Sequence, residues 1–228
     1  MELLPPASFG ARLGREALEE LRRTGIAKKY SIGDLLFMQG DDHGNVFLVE
    51  SGQVKVYVTG PEGAVLILGI YGRGEVLCEM SALEQLPRSA SGVARTPTVV
   101  TEINGRNFRA YVRRNPDVMS HVLSVMRHRL HKADDERLSY LSEGVVVRVT
   151  RKLLAWAATY GAVELDGRVE ILGFTRRDLA QSVAAAEKSV DDVLSTLTNA
   201  GLITTGRRRF VLLAPAQLQA WPEHQARP

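Results

Sequence analysis

The 228 residues predict an α+β chain in three parts: a glycine-punctuated all-β region, a long helix, and a smaller helical unit that ends on a β-hairpin. Three observations carry this. Between Tyr30 and about Arg106, short runs rich in Val, Ile, Phe and Tyr alternate with polar residues and break at glycine. After Pro116 a helical pattern continues from about Asp117 to Ser142. Beyond Gly144 the order becomes helix, strands, two helices in close succession, and a hairpin.

ALEELRR reads as an amphipathic helix ahead of the β region. The β runs follow as YSIGDLLFMQG, VFLVESGQVKVYVTG, AVLILGIYGRGEV and SGVARTPTVVTEIN, punctuated by Gly33, Gly40, Gly52, Gly60, Gly63, Gly72 and Gly74. That is the pattern of an antiparallel sandwich or barrel. In the long helix Met119, Leu123, Met126, Leu130, Ala133, Arg137 and Tyr140 recur in alternating four- and three-residue steps, a coiled-coil seam. A second row, Val118, Val122, Val125, Leu138 and Leu141, is expected to face the β region. Apolar residues on two faces call for two partners, and a second copy of the chain supplies one. An ordinary core helix is the alternative.

VVVRVTRKLLAWAATYG reads as a helix ending at Gly161, and VELDGRVEIL as strands around Asp166 and Gly167. FTRRDLAQSVAAAEKSVDDVLSTLTNAGLI then gives two helices, and TTGRRRFVLLA a hairpin. This is the order of a winged helix-turn-helix. The expected domains are 1–115 for the β domain, 116–143 for a dimerisation helix and 144–228 for the winged unit.

Composition is that of an ordinary globular protein, with 45% hydrophobic and 24% charged residues. No apolar run is long enough to span a bilayer, and MELLPPASFG lacks a signal-peptide layout, so no membrane partner and a cytoplasmic location are expected. The single Cys78 makes no internal disulfide and cannot by itself hold an iron–sulfur cluster. His43, His121, His128 and His131 show no metal-ligand spacing, and no metal is expected. No nucleophile–base constellation or phosphate loop marks an enzyme. Residues 1–144 hold 18 Lys/Arg and 18 Asp/Glu, leaving 11 and 8 for 145–228, so the whole net charge of +3 sits in the last third, the candidate for contact with a polyanion.

Over nearly its whole length the chain resembles the cAMP-receptor/fumarate-nitrate-regulator (Crp/Fnr) superfamily of bacterial transcription regulators. YSIGDLLFMQGD and VFLVESGQVKVYVTGPEG resemble the family's β-roll, and GEVLCEMSALEQLPRSASG is similar to the phosphate-binding cassette of cyclic-nucleotide domains. The resemblance implies that a short helix and Arg88 receive the cyclic phosphate, with Ser89 beside it, and that Glu79 accepts from the ribose 2′-hydroxyl. The alternative is a buried Glu79–Arg88 ion pair in a roll without ligand. Cys78 stands where the family usually has glycine, at the ligand-facing backbone. It also lies where the family's haem-based sensors carry a cysteine, but their histidine two positions on is Met80 here, so haem is not expected. No cofactor is required on this reading; the effector is cyclic AMP or cyclic GMP.

On the long helix the resemblance puts Ala133 and Asp134 where hydroxyl residues meet the purine. A carboxylate only accepts hydrogen bonds, and guanine offers two adjacent donors where adenine offers one, so Asp134 in the pocket favours cyclic GMP. Alternatively it points to solvent and pairs with Lys132 or Arg137.

In the last third Thr175 and Asp178 form a capping-box start for the first helix of the motif. The second helix begins near Glu187, and the resemblance implies that it enters the major groove, with Glu187, Lys188, Ser189 and Asp192 as base-reading and phosphate residues. Glu187 and Asp192 replace the family's arginines, Asp191 adds another acid, and Ala184 stands at a turn position where glycine is common. Arg176, Arg177, Arg207, Arg208 and Arg209 then supply the phosphate contacts, unless the triple arginine is only a solvated turn. The expected partners are double-stranded DNA, a second copy of the chain and RNA polymerase; a cyclic-nucleotide module acting on a protein partner is the alternative.

Overall fold

The computed structural model describes residues 8–42 and 44–225, with side chains to residue 221. The opening residues 1–7 and His43, on which two expectations fall, lie outside the described residues. The chain divides into two compact units between Ala133 and Asp134.

In the first unit α1 (Phe9–Leu13) and α2 (Arg15–Arg23) precede β1 (Gly25–Tyr30), β2 (Leu35–Phe37), β3 (Val46–Ser51), β4 (Val54–Thr59), β5 (Val65–Tyr71) and β6 (Val76–Leu77). Then come α3 (Glu79–Glu84), β7 (Ser91–Ala94), β8 (Thr98–Ile103), α4 (Gly105–Arg114) and α5 (Pro116–Ser142), whose last residues enter the second unit. Among the described residues the strands make two antiparallel four-stranded sheets, in the orders β1-β8-β3-β6 and β2-β7-β4-β5.

The run VFLV in β3 is continuously apolar because both its faces are buried. Phe47 and Val49 join Phe37, Val54, Val56, Leu77 and Val100 in one core, while Val46 and Leu48 pack with Leu21, Phe108, Tyr111 and the α5 residues Val118, Val122 and Val125 in another. Strand alternation sends neighbouring side chains to opposite faces, so one strand serves two cores. Gly52 turns β3 into β4 at φ +80°, and an added Cβ would come within 2.3 Å of the Pro97 carbonyl oxygen, so both backbone shape and space require glycine.

Only part of the predicted second row on α5 packs. Val118, Val122 and Val125 are buried, but Leu138 and Leu141 are 64% and 87% exposed. The row fails because the last turns of α5 belong to the second unit, where Glu136 pairs with Lys152 at 3.3 Å and Glu143 with Arg151. Met126 leaves the seam to pack on the first unit's core, whereas Met119, Leu123 and Leu130 stay exposed.

The second unit continues with α6 (Val145–Tyr160), β9 (Ala162–Val163), β10 (Val169–Leu172), α7 (Arg176–Ser182), α8 (Glu187–Asn199), β11 (Ile203–Gly206), β12 (Arg209–Leu212) and α9 (Pro215–Gln225). Its strands form an antiparallel sheet in the order β11-β12-β10-β9. Val149, Leu153 and Trp156, spaced to share one helix face, bury against this unit's core, and Trp156 stacks on Phe174 at 3.9 Å between ring centres.

Candidate functional site

In the first unit the cassette begins where β6 ends. Cys78 caps α3 in the left-handed conformation, φ +68°, which suits glycine and costs a non-glycine residue on the order of 1 kcal/mol. Burial pushes its thiol up to about 12, so it stays protonated at neutral pH. The next residue, Glu79, is 2% exposed, and its carboxylate accepts from Arg129 of α5 at 2.6 Å.

Arg129 is held on every side. It donates to the Val76 carbonyl at 2.7 Å, lies 3.8 Å from Glu75, and its guanidinium sits 4.8 Å from the Tyr71 ring centre. Burial alone would lower its pKa, yet Glu79, Tyr71 and Glu75 outweigh that and the pKa is raised. Burial raises the Glu75 carboxyl, against the pull of Arg129.

Arg88 is 4% exposed and pairs with none of these carboxylates. Its Nη1 donates to the Cys78 carbonyl at 3.4 Å and its Nη2 to the Asn45 carbonyl, while its guanidinium lies 5.8 Å from the centres of the Phe37 and Phe47 rings. Its Nε is buried without a hydrogen-bond partner among the described residues. Gly92 makes the neighbouring space: a Cβ there would meet the Phe37 ring at 2.4 Å. The result is a buried cation whose charge no carboxylate among the described residues neutralises.

The Glu79–Arg88 pair considered from sequence therefore does not form; Glu79 is paired with Arg129 instead. Sequence reasoning missed Arg129. Its signal was an arginine continuing the buried row Val118, Val122, Val125, a position where a charge must find a partner. Ser89 is exposed beside Arg88. Asp134 lies in the second unit and pairs with Arg137 at 2.9 Å, the solvent-facing arrangement weighed against a purine contact. His121, His128 and His131 join no group able to hold a metal ion among the described residues.

In the second unit the capping box forms: the Thr175 hydroxyl accepts from the Asp178 amide at 3.0 Å, and the Asp178 carboxylate accepts from the Thr175 amide at 3.0 Å. Ala184 takes the turn between α7 and α8 at φ +48°. Val190, Val193, Leu194 and Leu197 anchor α8 in the core, leaving Glu187, Lys188 and Asp192 exposed and Ser189 half-buried.

The arginines around this face differ from one another. Arg176 pairs with Asp191 at 3.0 Å and Arg177 with Glu187 at 3.6 Å. Arg209 pairs with Glu170, and Arg208, in the turn between β11 and β12, donates to the Gly173 carbonyl just after β10 at 3.2 Å. Arg207 has no side-chain partner among the described residues.

Residues 27–115 match the cyclic nucleotide-binding domain family and residues 147–221 the Crp-like helix-turn-helix domain family. A cyclic AMP receptor protein of Thermus thermophilus is 31% identical over 178 residues, 78% of this chain and 79% of that one. The chain belongs to the Crp/Fnr superfamily of bacterial transcription regulators. The cAMP-activated global transcriptional regulator CRP of Salmonella typhimurium is 27% identical, over 81% of this chain and 88% of its own. The c-di-GMP-responsive global regulator CLP of Xanthomonas campestris shares the Crp/Fnr fold with a TM-score of 0.76 at 21% identity, covering 87% of this chain and 98% of that one. The cassette thus lies in the part that matches the cyclic nucleotide-binding domain family, and α7 with α8 in the part that matches the Crp-like helix-turn-helix family.

Proposed function

We propose that the chain is an effector-gated homodimer: a cyclic nucleotide occupies the Arg88 cassette, two copies pair along α5, and the C-terminal units bind double-stranded DNA. The observation that carries the ligand is Arg88. A guanidinium buried to 4% exposure, donating to two carbonyls and with its Nε unpartnered among the described residues, invites an anion, and a cyclic phosphate brings one with two oxygens that accept hydrogen bonds. Glu79 is close in sequence, and a carboxylate oxygen held by Arg129 can also accept from a ribose hydroxyl.

Met119, Leu123 and Leu130, exposed at 37%, 61% and 58%, support pairing along α5. The domains then run 1–115, 116–143 and 144–228, with α5 shared between effector and DNA parts. Ligand alters how the paired helices pack, and so the spacing of the two α8 helices and the presentation of the dimer to RNA polymerase in the cytoplasm. The Thermus relative named a cyclic AMP receptor protein and the Salmonella relative named as cAMP-activated support this nucleotide class.

Calorimetry with cyclic AMP and cyclic GMP tests the ligand. The wild type binds, and Arg88→Ala loses about 10- to 100-fold in affinity while remaining dimeric, since it forfeits charge-assisted hydrogen bonds. No binding by the wild type overturns the ligand, and equal binding by both overturns the residue. If Asp134 meets the purine, cyclic GMP binds tighter and Asp134→Ser narrows the gap. Selection from a random duplex library, with and without nucleotide, tests DNA binding; a module that acts only on a protein partner enriches nothing.

A further inference from the structure

The α8 face of a DNA reader ordinarily carries free cations, but here each arginine of the preceding helix is matched to an acid of α8. Arg176 is held at three elements at once: it begins α7, pairs with Asp191 on α8 at 3.0 Å, and donates to the Thr205 hydroxyl on β11 at 3.0 Å. Arg177, the next residue, reaches Glu187 at 3.6 Å. The first pair is about half exposed and the second more than half, so water and competing anions reach both.

A phosphate that takes Arg176 must displace Asp191. The released carboxylate then faces a polyanion, where like charge repels it. A base edge relieves this in one way: an exocyclic amino group, on cytosine N4 or adenine N6, donates to the carboxylate. We propose that Asp191 determines DNA specificity, withholding Arg176 from the phosphates of arbitrary duplexes and releasing it where an amino-bearing base edge replaces the arginine. The assignment rests on the DNA-binding reading above. It explains the acidity of α8 as selection against wrong DNA rather than as loss of DNA contact. Glu187 acts on Arg177 in the same sense, more weakly because the pair is longer.

The test is fluorescence anisotropy of the full-length protein on two duplexes, one enriched by the wild type from a random library and one of the same composition with the sequence scrambled, across a salt series. Asp191→Asn keeps the shape and removes the charge. It is expected to tighten binding to the scrambled duplex about three- to tenfold and to steepen its salt dependence by roughly one unit per freed phosphate contact, while the selected duplex gains less. Asp191→Glu, which keeps the charge, behaves as the wild type. Thr205→Val, which removes the second anchor of Arg176, shifts the ratio in the same direction by less. Repeating the selection with Asp191→Asn loses a cytosine or adenine preference at one position per half-site. An unchanged ratio and salt slope for Asp191→Asn, or equal weakening on both duplexes, overturns the assignment. A wild type that enriches no duplex overturns the DNA-binding reading, and the assignment with it.

Discussion

Arg88 in the β-roll and Arg176 beside α8 are both arginines proposed to meet an anion, but their surroundings are opposite. Arg88 is 4% exposed, and no carboxylate among the described residues neutralises it. Arg176 has a side chain 52% exposed and holds Asp191 at 3.0 Å. A buried charge gains most from a partner because little water screens it, and the proposed ligand is placed at Arg88 for that reason. An exposed charge is attractive to any phosphate, so pairing it lowers indiscriminate attraction at little cost to folding. Arg129 sharpens the contrast within the roll: neutralised by Glu79 and Glu75, it ties α5 to α3, whereas Arg88, inside the cassette, pairs with no carboxylate among the described residues.

The largest effect is expected from breaking that neutralised pair. Arg129→Ala strands the Glu79 carboxylate at 2% exposure and should cost about 3–5 kcal/mol in chemical denaturation of the first unit. Removing both with Arg129→Met and Glu79→Gln should recover much of the loss. Arg88→Ala, by contrast, should hardly lower stability in the absence of nucleotide, because no ionic partner is stranded. A comparable loss in both single variants would erase the distinction between a structural and a ligand-holding arginine.

Next in size is the hairpin. Arg207 lacks a partner among the described residues whereas Arg209 pairs with Glu170, so Arg207→Ala should flatten the salt dependence of DNA binding by about 0.9 unit per lost contact. Arg209→Ala should flatten it less. Equal slopes for the two would show that the ion pair does not discriminate between them.

The smallest effect concerns Glu75. Its carboxyl is raised in the folded state, first by burial, so the native state holds its proton to higher pH than the unfolded chain does. Its contribution to stability therefore falls as pH rises from the ordinary carboxylate range through the raised folded value. Glu75→Gln should remove that fall and gain stability at neutral pH, read as denaturation midpoints over roughly pH 4–7. A parallel pH profile in wild type and variant would leave Arg129 as full compensation for both acids.

Legibility followed distance along the chain. Pro116 and Ser142 bound α5 as the periodicity predicted, and Thr175 with Asp178 announced the start of α7. The misreading of Leu138 and Leu141 came from running the second row along the whole of α5 against the β region, when the chain from Asp134 on belongs to the second unit and Glu136 and Glu143 pair with α6 instead. Arg88 stood out from the resemblance, but its lack of a carboxylate did not, since Glu79 was the obvious candidate.

What the sequence determined alone was therefore local: helix and strand periodicity, turn glycines such as Gly52, the capping box, and the placing of excess positive charge in the last third. These depend on residues a few positions apart, whose geometry the backbone already constrains. What the tertiary structure decided was which charges meet. Glu79 and Arg129 are 50 positions apart, and Arg176 and Asp191 are 15. An ion pair depends on an approach within about 4 Å, and only the packing of α5 on the cassette and of α7 on α8 sets that distance.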